Sequence, residues 1–66
     1  MIGEKIKELR AEKSLTQEQL AKELQISRSA LSLYEIDVRD VPNALLPVIS
    51  KFFGVSIDYL FGLKDD

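Results

Sequence analysis

The chain has 66 residues, with nine Lys and Arg against eleven Asp and Glu for a net charge of −2; this bounds it to a single domain over residues 1–66, with only about 60% of the unfolded surface hidden on folding. It contains no Cys and no His, so neither disulfide nor zinc can staple it, Ser-His-Asp and Cys-His catalysis and thiol redox chemistry are excluded, and an enzyme is not expected. No apolar run approaches the roughly eighteen residues needed to cross a bilayer, and MIGEKIKELR lacks a signal peptide's apolar stretch, so a cytoplasmic chain away from membranes is expected.

Residues 2–13 place Ile2, Ile6 and Leu9 at steps of four and three among charged residues, which predicts an amphipathic helix. Thr16 with Gln19 forms a capping box, and Leu15 with Leu20 forms a hydrophobic staple, so a second helix starts at Gln17 and buries Leu20, Ala21 and Leu24. Ser27 is an N-cap and Ile26 with Leu31 repeats the staple, which starts a third helix at Arg28 after a link of about three residues. Leu31 and Tyr34 face its core side, leaving Arg28, Ser29, Ser32 and Leu33 on the other. A capping box alone is common on ordinary helices; two capped starts across so short a link are the spacing of a helix-turn-helix.

Residues 36–44 show no helical period and are expected to be a loop. Leu45, Leu46, Val48, Ile49, Phe52 and Phe53 then recur at helical spacing and Gly54 ends that helix. Pro47 requires a late or irregular start, near the first helical position where its missing N–H is harmless. Ser56 caps a short fifth helix, Ile57 to Phe61, with Asp58 in its first turn and Gly62 closing it. The mixed charges Lys5, Lys7 and Lys13 with Glu4, Glu8 and Glu12 are expected to be solvated.

The segment LTQEQLAKELQISRSALSLYE, with the later GVSIDYLFG, resembles the Cro/cI-type (XRE-family) helix-turn-helix domain of phage repressors and bacterial regulators over nearly the whole chain. The resemblance implies an all-α, compact five-helix, lambda-repressor-like fold with the helix-turn-helix at helices 2 and 3. The function it implies is sequence-specific recognition of double-stranded DNA by a bacterial or phage-encoded transcriptional regulator, a repressor in the first instance, with no cofactor or small-molecule ligand. Helix 3 enters the major groove in such domains, a docking geometry that belongs to the class as a whole. On that basis Gln17, Ser27, Arg39 and Lys22 match phosphate contacts, and Arg28, Ser29, Ser32 and Leu33 match base contacts. Arg10 and Glu35 match an internal ion pair of structural role. Ile57, Tyr59, Phe61 and Leu63 match a homodimer contact that sets two recognition helices on a palindromic operator.

The chemistry of these positions agrees with that assignment on its own terms. Helix starts present N–H groups to anions; an Arg offers two parallel donors to guanine O6 and N7, Ser donates or accepts with little selectivity, and Leu meets a thymine methyl. The chain departs from the family at three places. Gln25 stands where Gly is usual in the turn, at an expected cost on the order of 1 kcal/mol for a positive φ. Asp37 and Asp40 flank Arg39, setting anions where phosphate would approach, and Pro47 lies in helix 4. Asp37, Asp40, Asp65 and Asp66 with the apolar helix 5 also fit an alternative function on the same fold, a protein-interaction module of the antitoxin or regulator-partner kind.

Overall fold

A computed structural model describes residues 2–63, an all-α arrangement of five α-helices and one 3₁₀ turn. The helices are α1 (Ile2–Glu12), α2 (Gln17–Leu24), α3 (Arg28–Glu35), α4 (Leu46–Phe53) and α5 (Ile57–Leu60), with the 3₁₀ turn at Asn43–Leu45 leading into α4. The sequence-based bounds of α1 and α5 run one residue too long at their C-terminal ends, where the last turn gives way to the capping turn described below.

Local side-chain caps set three of the five helix starts. Thr16 Oγ1 accepts from the Gln19 N–H at 3.0 Å while Gln19 Oε1 accepts from the Thr16 N–H at 2.9 Å, closing the capping box. Ser27 Oγ accepts from the Ala30 N–H and Ser56 Oγ from the Tyr59 N–H. Each cap satisfies a donor that the helix itself cannot. Pro47 occupies the first turn of α4, so the helix begins late and loses no backbone bond to the ring.

All five helices end alike. A residue with φ between 57° and 78° follows each one, at Ser14, Gln25, Asp37, Gly54 and Gly62. The N–H of the next residue then reaches the carbonyl five positions back: Leu15 to Arg10, Ile26 to Ala21, Val38 to Leu33, Val55 to Ser50 and Leu63 to Asp58. This is the Schellman turn, which satisfies carbonyls left over at a helix end. At Gln25 (φ 59°, ψ 42°) the turn keeps the geometry that Gly would adopt freely, and the side chain bears the left-handed strain of about 1–2 kcal/mol.

The core takes one fully buried residue from each helix: Ile6, Leu20, Leu31, Ile49 and Leu60. Ile2, Leu9, Ala21 and Leu24 complete it, and Leu15, Ile26, Val41, Leu45, Leu46, Phe52, Phe53, Val55 and Tyr59 pack around its edge. Val48, counted in the apolar stripe of α4, is 44% exposed; the stripe is wider than the surface that the small core offers it.

Gly3 and Asp37 join α1 to the end of α3. Asp37 Oδ1 accepts from the Gly3 N–H at 3.1 Å, a carboxylate placed against the positive end of a helix dipole. Asp37 therefore serves as a cap contributed by a residue 34 positions away, where the sequence had suggested an anion opposing phosphate. A Cβ on Gly3 would lie 2.2 Å from the Tyr34 carbonyl oxygen and 2.7 Å from that of Glu35, so the two helices approach this closely only because residue 3 has no side chain.

Candidate nucleic-acid interface

The starts of α2 and α3 lie side by side. Gln17, Arg28, Ser29, Ser32 and Leu33 line one open cleft, and Arg10, Thr16, Gln17, Glu18 and Arg28 line a second. Gln17 and Arg28 are common to both. All four residues expected at base edges thus share one surface: Arg28 and Ser29 are exposed, Ser32 and Leu33 half-buried. Leu31 and Tyr34, on the opposite side of α3, are buried. The divided helix follows from its sequence, since Leu31 and Tyr34 at spacing three are buried while Arg28, Ser29, Ser32 and Leu33 lie on the other side.

Ser27 is exposed and its Oγ accepts the Ala30 N–H at 3.0 Å, which leaves its hydroxyl proton free to donate outward. Lys22 and Arg39 are exposed but line neither cleft. Glu18 sits in the second cleft and offsets part of the positive charge there.

Behind the clefts lies a buried polar cluster. Arg10 Nε donates to Glu35 Oε2 at 2.7 Å and Arg10 Nη2 to Glu35 Oε1 at 3.2 Å, a bidentate pair with side-chain exposures of 16% and 1%. Arg10 Nη1 donates to the Leu15 carbonyl at 2.9 Å. Gln17 Nε2 donates to Glu35 Oε1 at 2.9 Å. The resemblance had implied the ion pair; the Gln17 bond has no local sequence signature, because Gln17 and Glu35 are 18 positions apart and on different helices. Among the described residues no group of three His, Cys, Asp or Glu is placed to hold a metal ion, and no helix is long and apolar enough to cross a membrane.

The four residues expected at a dimer contact divide into two kinds. Tyr59 packs against the core edge beneath the Lys5 ammonium, 4.7 Å from its ring centroid, and Ile57 is half-buried. Phe61 and Leu63 are 47% and 73% exposed. Phe61 lines an apolar depression with Ile2, Val41 and Leu46, edged by Asp37, Asp40 and Asn43. Lys5, expected to be solvated, covers a tyrosine ring instead. Asp65 and Asp66 lie outside the described residues.

Two capped helices joined by a three-residue link, with the second helix start open to solvent, define a helix-turn-helix unit. The family described as Helix-turn-helix matches residues 6–60, and the chain belongs to that family, in its XRE branch. It is 35% identical over all 66 residues to the uncharacterized HTH-type transcriptional regulator YobD of Bacillus subtilis, and spans 59% of that relative. It is 52% identical over 59 residues, 88% of this chain, to the HTH-type transcriptional activator BcrR of Enterococcus faecalis, and spans 28% of it. Among solved structures, it is similar to the master regulator for biofilm formation SinR in complex with DNA, with a TM-score of 0.81 and 32% identity, covering 92% of this chain and 98% of that one.

Proposed function

We propose that this chain binds double-stranded DNA sequence-specifically and regulates transcription in the cytoplasm, as a repressor that occupies its operator as a homodimer. The observation that carries the reading is the surface shared by Gln17, Arg28, Ser29, Ser32 and Leu33 at two adjacent helix starts. Arg28 reads a guanine through O6 and N7, Ser29 and Ser32 supplement it, and Leu33 meets a thymine methyl. Gln17, Ser27, Arg39 and Lys22 fix the register on phosphates and carry no sequence information. Exposed Phe61 and Leu63 supply the contact between copies, which sets two α3 helices about 34 Å apart along a palindrome. The likeness to SinR in its DNA complex supports the same docking.

Selection of binding sites from random duplex DNA at two salt concentrations tests this. The expected result is a palindromic sequence whose affinity falls with salt, with a log–log slope of about −2 per protomer from Lys22 and Arg39. Recovery of no preferred sequence, together with binding indifferent to salt, would remove the reading.

A further inference from the structure

We infer that Glu35, neutralised by Arg10, is a positioning residue for DNA binding: it holds the Gln17 side chain in place as a phosphate donor. The inference rests on the DNA-binding reading above and extends it to Glu35, a carboxylate that the fold keeps from solvent. Gln17 is the first residue of α2 and is half-buried. Its Nε2 carries two hydrogens, of which one is taken by Glu35 Oε1 at 2.9 Å. An amide is planar, so fixing one N–H fixes the direction of the other. That second N–H remains for an acceptor in the clefts that Gln17 lines.

The carboxylate is suited to this by its burial. Glu35 has a side-chain exposure of 1% and accepts three N–H donors, two from Arg10 and one from Gln17. Alone, a carboxylate beneath a phosphate site would repel the ligand. The bidentate guanidinium cancels its charge, so that Glu35 orients the amide without that repulsion. Arg10 is itself fixed at a third point, the Leu15 carbonyl. A Gln side chain otherwise loses its rotamer freedom when it binds, and having lost it beforehand favours association by about tenfold.

The test uses the whole chain with two duplexes, one recovered by selection and one of random sequence. Gln17→Ala, and Gln17→Asn, whose amide is too short to span from Glu35 to the backbone of DNA, are each expected to weaken binding to both duplexes by about tenfold. The double replacement Arg10→Met with Glu35→Leu, an apolar substitute for the pair, is expected to give the same loss with a retained thermal transition. Adding Gln17→Ala to it is expected to cause no further loss. A purely structural pair predicts the opposite: a folded double variant that binds like the parent, or losses that multiply.

If the double variant does not fold, the parent chain and Gln17→Asn decide the matter. In the parent one Gln17 side-chain amide proton is expected at an NMR shift away from that of a solvated Gln and exchanging slowly, and both are expected to move when duplex is added. Gln17 amide protons with the shifts and exchange rates of a solvated Gln and unmoved by DNA, or Gln17→Asn binding undiminished, overturn the inference. Gln17→Ala binding normally while Arg28→Ala binds weakly defeats the positioning role alone, whereas a parent chain that binds neither duplex defeats the DNA-binding reading and this inference with it.

Discussion

Arg10→Met is expected to destabilise the fold by about 3–5 kcal/mol, because it strands a carboxylate that the folded chain keeps from water. Glu35 has a side-chain exposure of 1% and would retain only Gln17 as a donor. A domain of this length holds about 3–10 kcal/mol in total, so the variant should be largely unfolded near room temperature or melt far below the parent. Urea and thermal unfolding followed by far-UV circular dichroism measures it. A loss below about 1 kcal/mol would mean that the pair behaves as a solvent-screened surface bridge. Replacing both partners, Arg10→Met with Glu35→Leu, should recover most of the loss, since no charge is then left buried.

Gly3→Ala is expected to destabilise by about 3 kcal/mol, against the usual sign. Within a helix, Gly to Ala normally gains about 0.5–1 kcal/mol, because Gly has more backbone freedom to lose. Here the new methyl would stand 2.2 Å from the Tyr34 carbonyl oxygen, 2.7 Å from that of Glu35 and 2.9 Å from Asp37 Oδ1. The first two are backbone atoms at the end of α3 and cannot rotate away. Relief requires α1 to withdraw, which lengthens the Gly3–Asp37 bond and pulls Arg10 from Glu35, since those contacts bridge the same elements. A melting temperature equal to or above the parent's would contradict the close approach of α1 and α3.

The starts of α2, α3 and α5 were legible because each carries its own chemistry within four residues: Thr16 with Gln19, Ser27 with Ala30, and Ser56 with Tyr59. The core stripes were legible for the same reason, as Ile6, Leu20, Leu31 and Ile49 each stand in a run of apolar residues at helical spacing within their own helix. The helix ends were legible to within a residue, from Gly54 and Gly62 and from loss of the helical period after Glu35, but the left-handed turn that closes each was marked only at the two glycines. At Ser14 and Asp37 the left-handed residue is not Gly and nothing in the sequence marks it; at Gln25 the departure was visible but its outcome was not.

Apart from the Arg10–Glu35 pair, which the family resemblance implied, contacts between distant segments were out of reach of any pattern. Nothing in the sequence around Gly3 marks its close approach to α3, and Asp37 looked like an obstacle to phosphate until its bond across 34 positions assigned it to the start of α1. Of the candidate interface, the grouping of Arg28, Ser29, Ser32 and Leu33 follows from helical geometry and was readable. The attachment of Gln17 to Glu35 was not, because it depends on how α2 and α3 pack. The apolar character of Ile57, Tyr59, Phe61 and Leu63 was readable in the sequence. Which of these faces outward depends on the core: Tyr59 is drawn against it, leaving Phe61 and Leu63 outside.

Whether the start of α3 reads base edges is decided by Arg28→Ala, with its affinity measured across a set of operators mutated one base pair at a time. The variant is expected to lose discrimination at one position in each half-site, by about 1–3 kcal/mol, while keeping the parent's preferences elsewhere. Equal weakening on every operator, with the parent's discrimination intact at each position, would contradict base readout by this helix and reduce Arg28 to a phosphate contact.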